Sequence, residues 1–206
     1  MTIIDKCRGL YVAFALGLVL MPAAVVADNS VKFVSAVDPA TVPEKKRSAL
    51  NLYLTAQEAS TFLAQNEDAV LIDIRTRAEV SFVGIAAEAD KNIPYMVMDE
   101  FWEFDADKGT YKMAVNSNFD REVAGFMQEL GLSKESPIIL MCRSGNRSAR
   151  AADLLGQLGY KSVYSVVGGF EGEKDPDGVR SVNGWKNAGL PWSYKLTADV
   201  AWHPPQ

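Results

Sequence analysis

The sequence has 206 residues, of which 48% are hydrophobic, and it carries a net charge of −5 at neutral pH. A chain of this length and apolar content can bury the core of one domain. Its mildly acidic balance argues against nucleic acid or an anionic membrane surface as the main partner.

The first 27 residues have the layout of a secretory signal peptide. Lys6 and Arg8 form a basic start, an apolar stretch follows, and small residues precede a cleavage point before Asp28. The alternative is an uncleaved anchor, because the apolar stretch is nearly long enough to span a bilayer. Pro22 and the small residues after it favour cleavage. We therefore expect an exported, periplasmic protein with no stable membrane association after cleavage.

The chain contains only two cysteines, Cys7 and Cys142. Because Cys7 leaves with the signal peptide, Cys142 is the only thiol of the mature protein. An internal disulfide is then impossible, and the fold must rest on its apolar core. A free thiol in an oxidising compartment is a liability unless it is used, so its presence points to chemistry at Cys142.

The mature chain begins with a segment that we expect to be an irregular N-terminal arm, residues 28–48. A single domain is expected at residues 49–195, and a short strand is predicted near its start, at residues 51–54. Thr55 and Glu58 have the spacing of a capping box, which predicts a helix that begins there and ends near Gln65.

The middle of the chain alternates strand and helix patterns. Residues 69–74 are a continuous apolar run, as in a strand buried on both faces. A short helix is predicted at residues 77–82 and a short strand at residues 91–94. Residues 95–119, rich in aromatic, methionine and acidic side chains, are expected to be a structural elaboration with a small apolar cluster of its own. The alternative is a lid or docking surface over the pocket of Cys142.

The second half of the chain continues this alternation. A helix is predicted at residues 120–130, a strand at 137–141, a helix at 146–158 and a strand at 163–167. Strands that alternate with helices indicate an α/β domain with a mostly parallel central sheet flanked by helices on both faces. Ligands of such sheets bind beyond the carboxyl ends of the strands, which is where Cys142 falls.

Two further segments are expected to be peripheral. Residues 171–182 are rich in charge and glycine and should be solvated surface. Residues 196–206 should form a C-terminal tail, and they contain the sole histidine, His203. The position of this histidine in the tail argues against a Cys–His catalytic pair of the papain type.

The most informative motif follows the strand at residues 137–141. The cysteine there opens a short polar loop that leads into a helix, whose unpaired N–H groups and dipole attract an anion. Arginines in such a first turn oppose the dipole, which is explained if an anion binds there. These surroundings favour a thiolate, although a lone cysteine at a strand end is commonly a buried small hydrophobe. The candidate residues are Cys142 as nucleophile and Arg143, Ser144, Gly145, Asn146, Arg147 and Ser148 as substrate-binding groups.

With this loop placed, residues 51–194 resemble the rhodanese family of sulfurtransferases. The specific match is the loop Cys142–Ser148. Supporting matches, in chain order, are Leu71–Arg75, Asn92–Pro94, Leu158–Phe170 and Trp185–Trp192, the last resembling the family's C-terminal helix and exit. One departure is the absence of a histidine that many members carry before the third strand.

The resemblance implies a two-step covalent transfer of sulfur without a cofactor. The Cys142 thiolate would take the outer sulfur of thiosulfate or a similar small anionic donor, and the persulfide would pass it to cyanide or a thiol. Arg143 and Arg147 would bind the oxyanion end of the donor. Asp73 and Arg75 would support the loop from a neighbouring strand.

Two alternatives remain open. A Cys-based phosphatase or arsenate reductase uses the same strand–loop–helix arrangement, but with five residues between cysteine and arginine. Only four separate Cys142 from Arg147, which suits one sulfur better than a phosphate. The second alternative is a persulfide carrier or binding module that serves a periplasmic protein partner. No metal site is expected, because the calcium-like start at residues 105–109 lacks the closing glutamate.

Overall fold

The computed structural model describes residues 33–204. The signal peptide and the anchor alternative concern residues that lie outside this range. Within it, no helix combines the length and the apolar character needed to cross a membrane.

The described residues form four α-helices and eleven short strands. In chain order these are β1 (Tyr53–Leu54), α1 (Ala56–Gln65), β2 (Val70–Asp73), α2 (Arg77–Val83), β3 (Ile85–Ala86), β4 (Lys91–Asn92), β5 (Met96–Met98), β6 (Phe104–Asp105), β7 (Thr110–Tyr111), β8 (Met113–Val115), α3 (Phe119–Glu129), β9 (Ile138–Met141), α4 (Asn146–Gln157), β10 (Val163–Val166) and β11 (Trp192–Ser193). Two short 3₁₀ turns, Pro39–Thr41 and Glu44–Lys46, precede β1.

Five parallel strands form the central sheet, in the order β1–β10–β9–β2–β4. Leu71 of β2 lies opposite Ile139 of β9, which in turn lies opposite Tyr164 of β10. Strands β2 and β9 are buried along their whole length, because helices cover both faces. The predicted α/β architecture with a mostly parallel sheet is confirmed.

Side chains of each strand alternate between two apolar cores. On one face α3 and α4 pack against Ile138 and Leu140. On the other face α1 and α2 pack against Ile139 and Met141. Helix α1 begins at the predicted capping box, in which the Thr55 hydroxyl accepts the N–H of Glu58.

The segment that resembles a C-terminal helix folds differently. Residues 185–189 form turns, and β11 then pairs antiparallel with β3. Gly189 has a positive φ of 72° and Pro191 follows closely, and both residues interrupt a helix. Trp185 is nevertheless fully buried, and its Nε1–H donates to the carbonyl of Pro191 at 3.0 Å.

Residues 96–115 form a long hairpin. Strands β5 and β8 pair antiparallel at its base, and β6 and β7 pair near its tip. Trp102 and Phe104 each contact Tyr111 edge to face, with ring centroids 5.5 and 6.3 Å from that of Tyr111. The hairpin therefore contains an apolar cluster of its own, and Tyr95 anchors its base against Phe119 at 5.2 Å.

A buried ion pair occupies the carboxyl end of β2. Asp73 and Arg75 are both fully buried, and Oδ2 of Asp73 accepts from Nη2 of Arg75 at 2.6 Å. The same guanidinium donates to the carbonyl of Gly84 at 2.7 Å and lies 3.9 Å from the ring centroid of Phe170. Asn92 completes the arrangement by donating to the carbonyls of Asp73 and Arg75.

We predict that Asp73→Asn lowers the free energy of unfolding by about 3 kcal/mol or more, because it leaves a buried guanidinium without its counter-charge. Urea denaturation followed by circular dichroism measures this loss. Glu103→Gln, which breaks an exposed ion pair with Lys112, is the matched control and should change stability little. Equal losses in the two variants would contradict the assigned role of the buried pair.

Candidate active site

Cys142 follows the last residue of β9, and the chain then curls around its sulfur. The side chain is only 1% exposed, and Sγ accepts the backbone N–H of Gly145 at 3.1 Å. Gly145 has a left-handed φ of 98° and immediately precedes α4. The sulfur therefore lies at the N-terminal end of a 12-residue helix, where backbone N–H groups and the helix dipole favour an anion.

Two glycines allow this close approach. A Cβ atom on Gly145 would lie 2.4 Å from the carbonyl oxygen of Val167, and one on Gly169 would lie 2.4 Å from that of Cys142. The N–H of Phe170 donates to the same Cys142 carbonyl at 2.8 Å. The loop after β9 is thus held by the glycine turn that follows β10.

Two hydroxyl groups lie behind the sulfur. The Oγ of Ser148 is 3.6 Å from Sγ of Cys142 and 2.8 Å from Oγ of Ser165, and it is 3.0 Å from the carbonyl of Gly145. Both serines are fully buried. Each hydroxyl hydrogen can rotate, so Ser148 can donate to the sulfur or accept from it as its charge changes, while the backbone stays in place.

Arg147 is held by a carboxylate rather than left free for a ligand. Its Nη1 and Nη2 donate to Oε2 and Oε1 of Glu79 at 2.8 and 2.5 Å. Burial acts to raise the pKa of Glu79, but the hydrogen bonds and charge of Arg147 outweigh it and hold this pKa at about 2. The same pair raises the pKa of Arg147, against the opposing effect of burial.

A cavity of about 460 Å³ opens above Cys142. One side consists of the loop and α4, including Arg143, Ser144, Asn146 and Arg147. The opposite side is the hairpin of residues 96–115. The cavity residues contributed by this hairpin are Met96, Met98, Asp105, Lys108, Thr110, Tyr111, Lys112 and Met113.

Residues 55–175 match the model of the rhodanese-like domain, which is more than half of the chain. The chain belongs to the rhodanese-like family. An uncharacterised protein of Rickettsia conorii is 30% identical over 141 residues, which cover 68% of this chain and 96% of that protein. Thiosulfate sulfurtransferase GlpE of Tolumonas auensis is 49% identical over a shorter stretch of 41 residues, 20% of this chain and 39% of its own length.

A solved structure supports the same assignment. The crystal structure of Rv0390 from M. tuberculosis is 32% identical, with a TM-score of 0.53, and it covers 69% of this chain and 97% of its own. Sulfurtransferase-type chemistry, with a sulfur donor and a thiol acceptor, is the activity that the family implies for this rhodanese-like protein.

The rhodanese-like site differs from the sequence prediction in the use of its charged residues. Arg147 was expected to bind the oxyanion end of a donor, but both of its terminal nitrogens donate to Glu79. Arg143 is exposed at the cavity and is available for that contact. Asp73 and Arg75, which were expected to support the loop, lie outside the cavity wall and contact each other, the carbonyl of Gly84 and the ring of Phe170. Gly145 and Ser148 lie behind the sulfur rather than on the cavity wall.

Sequence reasoning missed a buried lysine of the N-terminal arm. Lys46 is 4% exposed, its Nζ donates to the carbonyl of Val167 at 2.8 Å, and it forms an ion pair with Glu173. Its stem also packs beside Gly145. Burial lowers the pKa of Lys46 to about 8, while the negative charge of a Cys142 thiolate opposes that shift.

Two other missed residues had weaker signals in the sequence. Ser165 is a polar residue within an apolar strand, which is a sign of a specific hydrogen bond. Glu79 stands three residues after Thr76, and this is the spacing of the capping box that begins α2. In the structure the same carboxylate also binds Arg147, a contact that local spacing does not predict.

We predict that Gly145→Ala prevents persulfide formation and destabilises the protein more than Gly178→Ala does. Both glycines have a positive φ, 98° and 84°, but a Cβ on Gly178 meets nothing within 4 Å. The strain of φ alone costs on the order of 1 kcal/mol, and Gly145→Ala must in addition displace Val167. Thermal unfolding and intact-mass measurement after treatment with thiosulfate test this. If the two variants behave alike, the close approach at Gly145 is not required.

We also predict that Glu79 contributes to the acid sensitivity of the protein. A carboxyl with a pKa of 4.5 unfolded and about 2 folded adds about 3 kcal/mol of stability above pH 5. Below pH 4.5 only the unfolded chain takes up the proton, so this stability is lost as the pH falls towards 2. Urea denaturation between pH 7 and pH 3 should show a flatter pH dependence for Glu79→Gln. Glu129→Gln controls for the loss of one exposed carboxylate, and an equal slope in both variants would refute the prediction.

Proposed function

We propose that this protein is a sulfurtransferase that accepts sulfane sulfur from thiosulfate or a similar small anionic donor as a persulfide on Cys142. The observation that carries this proposal is the N–H of Gly145 directed at Sγ from 3.1 Å, at the start of α4. This geometry stabilises a negative sulfur both before and after it is loaded.

The first step is a displacement at sulfur. The Cys142 thiolate attacks the outer sulfur of thiosulfate, the sulfur–sulfur bond of the donor breaks, and sulfite leaves with the bonding electron pair. Arg143, exposed at the cavity, attracts the sulfonate end of the donor. Cys142 then carries the persulfide, and the loop N–H groups replace the water that would otherwise solvate its charge.

The second step returns the enzyme to its starting state. A thiolate acceptor attacks the outer sulfur of the persulfide, and the electron pair of the broken bond returns to Sγ of Cys142. The hydroxyls of Ser148 and Ser165 lie within reach of this charge. No oxidant, metal or organic cofactor enters the balance of either step, and ping-pong kinetics are expected.

The second candidate is a persulfide carrier that serves a protein partner. It is favoured by the hairpin, where Phe101 and Trp102 are 85% and 55% exposed. A carrier would show persulfide only after exposure to its donor protein. The proposed site of action for either function is the periplasm, on the basis of the signal-like first 27 residues.

We predict that the mature protein gains the mass of one sulfur atom after incubation with thiosulfate and loses it again on addition of cyanide. Cys142→Ser, which keeps the size of the side chain, should gain nothing. Intact-mass spectrometry gives both results directly. Absence of a gain in the unmodified protein would refute the thiosulfate version, and hydrolysis of an aryl phosphate would favour a phosphatase instead.

A further inference from the structure

We propose that the hairpin of residues 96–115 completes an acceptor subsite for a small organic thiol, one that carries an anionic group at the end of an apolar, unbranched chain. This inference rests on the proposed sulfurtransferase function, and it names the class of the second substrate. The site is the wall that faces Cys142 across the cavity.

The size of the cavity is the first argument. Sites of about 300–1,000 Å³ hold organic molecules of drug-like size, and the cavity above Cys142 measures about 460 Å³. Thiosulfate has only five heavy atoms and needs little more than the Cys142 loop. Because the two substrates of a ping-pong reaction occupy one site in turn, the larger of them sets its dimensions. The unused volume is therefore assigned to the acceptor.

The chemistry of the wall is the second argument. Three methionines, Met96, Met98 and Met113, face the cavity from β5 and β8. Methionine side chains are apolar, polarisable and adaptable, and they suit both a methylene chain and a passing sulfur. Tyr111 extends this surface towards the tip of the hairpin and is 49% exposed. An acceptor that fills the space must therefore present an apolar body to this side.

The distribution of charge is the third argument. The cavity is also lined by Lys108 and Lys112, but each forms an ion pair with an acidic residue of the hairpin itself. Arg143 and Arg150 line the cavity as exposed side chains, and neither forms a salt bridge within residues 33–204. Of these two uncompensated cations, Arg150 lies one helical turn beyond Asn146 on α4 and farther along the chain from Cys142 than Arg143. Arg150 therefore attracts a negative group at the outer end of the ligand.

The depth of the sulfur is the fourth argument. Because Cys142 is 1% exposed, the reacting thiol must stand at the end of a slim chain that enters the cavity, while the anionic group at the other end stays farther out. The acceptor thiolate attacks the outer sulfur of the Cys142 persulfide and forms a new organic persulfide. The bond between Sγ and that sulfur breaks, and its electron pair restores the Cys142 thiolate.

The test separates charge from chain length. The mature protein is first loaded with thiosulfate and freed of excess donor, and the loss of the sulfur mass is then timed with 6-mercaptohexanoate, 6-mercaptohexanol or 3-mercaptopropionate. We expect the long anionic thiol to unload Cys142 at least about fivefold faster than the long alcohol, the size of one modest ion-pair contribution. The long anionic thiol should also unload Cys142 about tenfold faster than 3-mercaptopropionate does, since its extra methylenes are partly buried.

Variants test which side of the cavity, α4 or the hairpin, is responsible for each preference. Arg150→Gln should reduce the preference for the anionic thiol, whereas Lys161→Gln removes an exposed cation before β10, at the opposite end of the sheet, and should leave it unchanged. Met113→Gln should reduce the preference for the long chain, and Val115→Gln on the same strand, outside the cavity, should not.

The outcomes that overturn the inference differ from those that overturn the function. If Cys142 never acquires sulfur, the proposed function fails. If it loads normally but all three thiols unload it at equal rates, or only a protein thiol does so, the small-thiol subsite is refuted while the sulfurtransferase assignment stands.

Discussion

The buried ion pair of Asp73 and Arg75 is the constraint on which the active site depends. Two charges without access to water are costly, and they are stable only when geometry and additional hydrogen bonds compensate for lost hydration. Here the Arg75 guanidinium donates hydrogen bonds to Asp73 and to the carbonyl of Gly84, and it packs against the face of the Phe170 ring. The N–H of Phe170 in turn binds the carbonyl of Cys142. The end of β2 therefore determines where the turn after β10 lies, and that turn holds the loop after β9.

The site separates its cations into two groups with different surroundings. Arg147 and Lys46 are buried and paired with Glu79 and Glu173, so their positions are fixed by the protein. Such fixed groups shape the electrostatic environment of the sulfur without following a substrate. Arg143, by contrast, is exposed at the cavity and can move with an anion as it enters and leaves. The proposed ping-pong reaction would use both kinds, because the bound anion changes in each half of the reaction.

Local sequence patterns predict the helices and strands of the central sheet domain well, for a physical reason. Continuous apolar runs, capping boxes and a polar loop after a strand each depend on residues a few positions apart. The contacts that define the site join distant positions: Arg147 and Glu79 are 68 residues apart, and Lys46 and Glu173 are 127 apart. A single sequence contains no signal that selects these partners, and the charged run at Lys46 therefore predicts no more than an irregular N-terminal arm. The resemblance implied a helix in the segment that begins at Trp185, but residues 185–189 form turns because Gly189 and Pro191 interrupt a helix there.

In the proposed reaction, the hairpin of residues 96–115 would determine which substrates are selected. The loop around Cys142 is compact and built from backbone N–H groups, so it can recognise a sulfur anion but cannot distinguish the rest of a substrate. That distinction requires side chains at a distance from the sulfur, and the hairpin supplies them on a separate and exposed element. Because β5 through β8 pair only with one another, their side chains can change without disturbing the central sheet. In this proposal the reaction takes place beside the rigid central sheet, and substrate choice depends on side chains that are not part of that sheet.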